Sequence, residues 1–89
     1  DYDKAIEIDP NDAEAYFNRG NSKANLKDYY GAISDHTKVI KINPNHADAY
    51  YNRGVSKYYL RDYNGACKDA RKAQETGYPE SQLINVSCK

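Results

Sequence analysis

The chain has 89 residues, and its 13 lysines and arginines balance 13 aspartates and glutamates for a formal net charge of zero. That length supports one small domain with a modest core, and the balance offers no electrostatic footprint for nucleic acid or an anionic membrane surface. No apolar run approaches membrane-spanning length, and no charged-then-apolar stretch suggests a signal peptide.

Residues 1–9 read as the end of a helix. Ala5, Ile6 and Ile8 are apolar, and Asp9-Pro10-Asn11 stops the helix, because proline lacks the amide donor and restricts the residue before it. The stretch echoes Asp35 to Ile42, which precede Asn43-Pro44-Asn45. The chain therefore begins in mid-unit and, with no Met even at residue 1, reads as a piece of something longer.

Ala13 to Leu26 has the spacing of a surface helix. Tyr16, Gly20, Lys23 and Leu26 fall near one stripe with Arg19 beside it, and Asp12 stands as N-cap or first-turn acid. Glycine in a helix interior costs roughly 1 kcal/mol relative to alanine, so Gly20 predicts a closely crossing helix. Ala32 is the small residue on the next helix, which predicts a Gly20–Ala32 contact. Lys27-Asp28 makes the turn, and Tyr29 to Ile42 forms the second helix. Its apolar Ala32, Ile33, Val39, Ile40 and Ile42 exceed what one neighbour can cover.

The same plan then recurs. Ala15-Tyr16-Phe17-Asn18-Arg19-Gly20 returns as Ala49-Tyr50-Tyr51-Asn52-Arg53-Gly54, and Asp28-Tyr29-Tyr30-Gly31-Ala32 returns as Asp62-Tyr63-Asn64-Gly65-Ala66. Positions 49 minus 15 and 62 minus 28 both give 34, so a structural unit has been copied and the helix crossing returns as Gly54–Ala66. The copies are not equivalent. In Tyr63 to Thr76 the stripe shrinks to Ala66, Cys67, Ala70 and Ala73; Gln74 and Thr76 replace Ile40 and Ile42, and Lys68, Arg71 and Lys72 supply a polar outer face. The last unit of an array behaves so, because solvent replaces the next neighbour. Gly77 and Pro79 end that helix, and residues 80–89, with Leu83, Ile84 and Val86 apolar, form a short capping helix.

Tyr16, Gly20, Tyr29, Ala32 and Pro44 in one copy, and Tyr50, Gly54, Tyr63 and Ala66 in the next, resemble the tetratricopeptide repeat, a helix-turn-helix unit of this period. About half of the aligned positions are identical between the copies. The resemblance implies an all-α fold, a helix-turn-helix repeat solenoid with right-handed superhelical form. Its units are a truncated preceding helix over 1–9, one repeat over 13–44, a second over 47–79 and the cap over 80–89. Arg19 and Arg53 stand where the family has an apolar residue, and Lys23 and Lys57 where it has an aromatic. Asp35 follows Arg19 and Asp69 follows Arg53 at the same offset, with Asp1 equivalent before Arg19. The arginines are therefore expected to pair with aspartates within a repeat or from the preceding one.

No catalytic constellation is apparent, and the chain reads as a binding protein, not an enzyme, with no cofactor. The acids fit caps, turns and outer faces. His36 lies among Ala32, Ile33 and Val39 and reads as a partly buried packing residue, while His46 lies in the turn after Pro44. Neither builds a metal site. Cys67 and Cys88 have two readings. A bridge would staple the cap to the last repeat and contribute roughly 3 kcal/mol by loop closure. Alternatively they are two thiols, one buried and one near a frayed end. The bridge needs an oxidising compartment, the periplasm or the cell exterior; otherwise the cytoplasm is slightly favoured.

In the family, the first helices of successive repeats line a concave groove that receives a protein or peptide. Position by position this implies Glu14, Phe17, Asn21, Ala24 and Asn25 in the first copy, and Asp48, Tyr51, Val55, Tyr58 and Tyr59 in the second. Some members clamp a C-terminal carboxylate with lysines and asparagines; here Phe17 and Tyr51 stand where such a lysine is expected, and only Asn21 matches. The implied ligand is an extended or helical segment held by stacking and amide hydrogen bonds. Tyr58 and Tyr59 serve equally well as cover for the thin core. A second reading is structural: two full units fall short of the roughly three usually needed for stability, and copies could stack end to end as a homo-oligomer.

Overall fold

A computed structural model describes residues 2–79 and 82–88. Among them are six helices: α1 Tyr2–Ile8, α2 Ala13–Asn25, α3 Tyr29–Ile42, α4 Ala47–Tyr59, α5 Tyr63–Glu75 and α6 Gln82–Ser87. The pairs α2–α3 and α4–α5 are antiparallel hairpins, and each helix packs on the next in the chain. This is the expected all-α helix-turn-helix solenoid. Of the anticipated cap, Glu80, Ser81 and Lys89 lie outside the described residues.

Side chains define the helix starts. Asp12, Asp28 and Asp62 accept the amides of Ala15, Gly31 and Gly65 at 3.1, 3.0 and 2.9 Å. His46 does the same through Nδ1, 3.1 Å from the Ala49 amide. Each satisfies a donor that has no partner inside its helix. The ends of α2, α4 and α5 share one closure, in which the Asp28, Asp62 and Tyr78 amides reach back to the Lys23, Lys57 and Ala73 carbonyls at 2.8–2.9 Å. That geometry needs a left-handed residue. Gly77 supplies it at φ 116°, but Lys27 and Arg61 supply it at φ 65°.

The core is thin and rich in alanine: Ala15, Ala32, Ala49, Ala66, Ala70 and Ala73 are buried with Val39, Tyr50 and Leu83. Small side chains let helices approach closely. A Cβ on Gly54 would sit 3.1 Å from Asp69 Cβ, 3.2 Å from Leu83 Cδ2 and 3.3 Å from the Ala66 carbonyl, so the Gly54–Ala66 crossing is present. The first copy adds closer neighbours that the sequence did not point to. The groups nearest Gly20 belong to His36 and Asp35, with His36 Nε2 2.8 Å from a virtual Cβ. His36 fills the space beside Gly20 because its ring is fully buried, not partly buried as its position on the apolar face suggested.

Buried charge ties the units together. Arg19 grips Asp35 with two parallel bonds, Nε to Oδ2 at 2.9 Å and Nη2 to Oδ1 at 2.7 Å, and Lys23 adds a third contact at 3.3 Å. Arg53, Asp69 and Lys57 repeat the arrangement at 2.8, 2.7 and 3.0 Å. The basic departures from the family pattern thus form one feature. Burial by itself would raise the Asp35 pKa, but the Arg19 hydrogen bonds and charge, with Lys23, hold it below the ordinary aspartate value. The remaining nitrogen of each guanidinium reaches back one unit: Arg19 Nη1 donates to Asp3 at 2.8 Å, and Arg53 Nη1 to the Thr37 hydroxyl at 3.2 Å. Both expected routes, within and between units, are in use. The backward partner of Arg19 is Asp3; Asp1 lies outside the described residues.

The Cys67 and Cys88 sulfurs are bonded at 2.06 Å, joining α5 to the residue after α6. Leu83 packs with Ala66 and Ala70 beneath this link.

Candidate functional site

Helices α2 and α4 run side by side and leave between them a cleft of about 580 Å³, lined by Asn21, Ala24, Asn25, Lys27, Tyr29, Asn52, Val55, Ser56 and Tyr59. Helical periodicity places the α2 and α4 positions on the shared face, three or four residues apart. The start of α3 brings in Tyr29, whose ring stacks on Tyr59 with centroids 5.1 Å apart. The lining therefore combines a tyrosine pair with an amide floor and the apolar Ala24 and Val55.

The floor has a defined polarity. Asn21 Oδ1 accepts from Asn52 Nδ2 and from His36 Nε2, each at 2.9 Å. Two donors on that oxygen fix the amide orientation and leave Asn21 Nδ2 and Asn52 Oδ1 without partners among the described residues. His36 must carry its proton on Nε2 to donate, so Nδ1 is bare, buried and without a partner. Burial lowers the His36 pKa to about 4; Asp35 and the Phe17 backbone oppose the shift, and Arg53 and His46 reinforce it. The imidazole is neutral at pH 7. Ser56 Oγ, also in the cleft lining, is buried without a partner. Lys27 is the only charged residue in the lining among the described residues.

The sequence-derived groove residues divide into three groups. Asn21, Ala24, Asn25, Val55 and Tyr59 converge on the cleft. Phe17 and Tyr51 lie elsewhere along the same helices and are engaged internally. Phe17 packs against His36 and His46 at 5.7 and 4.8 Å, and Tyr51 stacks on Tyr78 at 4.2 Å. Burial, then Tyr51 and Asp48, raise the Tyr78 pKa. Tyr58 meets Tyr59 and Tyr63 edge-on and packs on the Ala66–Ala70–Leu83 cluster. Glu14 and Asp48 are exposed acids in the first turns of α2 and α4. Sequence reasoning missed Lys27, Tyr29, Asn52 and Ser56 as cleft residues. Asn52 had a signal, because it belongs to the duplicated Ala-Tyr-aromatic-Asn-Arg-Gly motif.

Comparison with known proteins bears on the fold and the family. No curated protein matches the chain in sequence. Among solved structures, the first TPR of Spaghetti (RPAP3) bound to the HSP90 peptide SRMEEVD superposes with a TM-score of 0.89 at 25% identity, covering 98% of this chain and 69% of that one. YrrB, described as a TPR protein with an unusual peptide-binding site, gives 0.88 at 25% identity over 97% of this chain. The chain spans only 46% of YrrB. The TPR2B domain of yeast Sti1, in its complex with pHsp70, gives 0.82 at 27% identity, covering 96% and 65%. The tetratricopeptide repeat profile matches residues 13–46 and again residues 48–81, and the chain belongs to the tetratricopeptide repeat family.

Proposed function

We propose that the chain is a protein-interaction module that holds a peptide segment in the cleft between α2 and α4. It is read as a binder and not as an enzyme. The observation that carries this is that one cleft lining holds Asn21 Nδ2, a donor, and Asn52 Oδ1, an acceptor, both without partners among the described residues, groups that complement the C=O and N–H of a peptide main chain. Preorganisation adds to the fit, since His36 and Asn52 already orient the Asn21 amide and little side-chain entropy remains to be lost on binding. Solved relatives include complexes with an HSP90 peptide and with pHsp70, which supports a peptide ligand and gives no support to end-to-end self-stacking. The lysine of a carboxylate clamp is replaced by Phe17 and Tyr51, so main-chain capture is favoured over capture of a chain terminus.

Selection from a random linear-peptide library against the 89-residue chain tests the reading. Binders are expected that weaken about tenfold or more on an Asn21→Ala, Asn52→Ala double variant that remains folded. Recovery of no linear peptide, or of peptides indifferent to both asparagines, refutes it.

A further inference from the structure

We propose that the ligand of this cleft is a proline-rich segment in the polyproline II conformation with acidic flanks; this rests on the peptide-binding reading and names its ligand class. The cleft disfavours other recurrent modes of peptide capture. An amphipathic helix needs an apolar trough for its stripe, whereas here Asn21, Asn25, Asn52 and Ser56 interrupt Ala24, Val55 and the tyrosines. Strand addition needs a sheet edge, and the described residues contain none. A polyproline II segment asks for what is present: aromatic walls for the pyrrolidine rings and polar groups for a main chain that makes no internal hydrogen bonds.

The aromatic part of the lining is Tyr29 stacked on Tyr59, and Tyr59 is 60% exposed, so its ring is open to a partner. In the same lining, Asn21 Nδ2 can donate to a prolyl carbonyl, while Asn52 Oδ1 requires an N–H that proline lacks. Polyproline II repeats every three residues, so one non-proline residue per turn presents an N–H to Asn52 while the intervening prolines face the tyrosines. In the same lining Lys27 is exposed and makes no ion pair among the described residues. It complements an acidic residue beside the prolines and disfavours a basic one.

Fluorescence anisotropy with three labelled probes tests the assignment: (Pro-Pro-Ala)₃ flanked by glutamates, the same peptide with every proline replaced by alanine, and the prolyl peptide flanked by lysines. The acidic prolyl probe is expected to bind about tenfold or more tightly than either other probe. Tyr59→Ala should cost it about tenfold and Tyr59→Phe less than about threefold, since the ring and not the hydroxyl forms the wall. Lys27→Glu should reverse the preference between flanks. Equal binding of the alanine probe, or indifference to Tyr59→Ala in a variant with an unchanged melting curve, overturns the proline assignment. If those peptides still depend on Asn21 and Asn52, the peptide-binding reading survives. If no probe binds and the library yields nothing, both fall.

Discussion

Acid should destabilise this protein through His36. The ring is fully buried, its Nδ1 has no partner, and its pKa is lowered to about 4 by burial. In the unfolded chain the same imidazole takes up a proton near pH 6.5. A base whose folded pKa is depressed leaves the unfolded state holding the extra proton between the two values. Stability is therefore complete above about pH 6.5, falls as pH drops towards about 4, and loses nothing more from this residue below that. The gap corresponds to about 3 kcal/mol at 1.36 kcal/mol per unit, a large share of the roughly 5–10 kcal/mol that a domain of this size holds. Asp35 acts in a separate window. Its folded pKa is below the ordinary value, so its contribution is present above about pH 3.9 and disappears at more acid pH. Urea unfolding at half-unit pH steps measures the slope. His36→Gln keeps a donor for Asn21 without a titrating group and should flatten the curve between pH 6.5 and 4. A His36 ring resonance that titrates near 6.5 in the folded protein, or a variant with the parent slope, refutes the reasoning.

Other expectations follow from the same contacts. Cys88→Ser should lower stability by about 3 kcal/mol, the loop-closure value for a sequence separation of 21, and hydrogen exchange should locate the new opening in α6. Asp69→Ala strands Arg53 and Lys57, whose side chains are only 17% and 21% exposed; breaking such a buried pair costs about 3–5 kcal/mol, measurable by denaturant titration. Thr37 occupies the position that Asp3 holds one unit earlier, beneath Arg53 instead of Arg19. Thr37→Asp should extend the ion network and raise stability by up to about 1 kcal/mol, with the gain abolished by 1 M salt.

The fold was legible because it repeats. Two copies at one offset, with stop signals at Pro10 and Pro44 and aspartates before the helices, specify hairpins through local chemistry alone. The second copy's polar outer face announced the end of the array, and the Arg–Asp spacing anticipated the ion pairs. What sequence misjudged depended on how far side chains reach. Helical periodicity marks the face of α2 that holds Gly20, but not that the imidazole of His36 would come within 2.8 Å of a Cβ there.

The cleft shows the same division. Its α2 and α4 contributors could be placed by family position, since one helix face repeats every three to four residues. Phe17 and Tyr51 occupy family groove positions, yet their rings meet His36 and His46 in one case and Tyr78 in the other. Tyr29 enters from the neighbouring helix only because the hairpin turn brings it against Tyr59. The orientation of the Asn21 amide depends on Asn52 and His36, 31 and 15 residues away in the chain. Periodicity and turn chemistry act between near neighbours and are written along the chain, so sequence determined the helices, their order and the repeating ion pairs. Which rings meet, how the Asn21 amide is oriented and that His36 stays neutral depend on contacts between helices, and only the packed structure decided them.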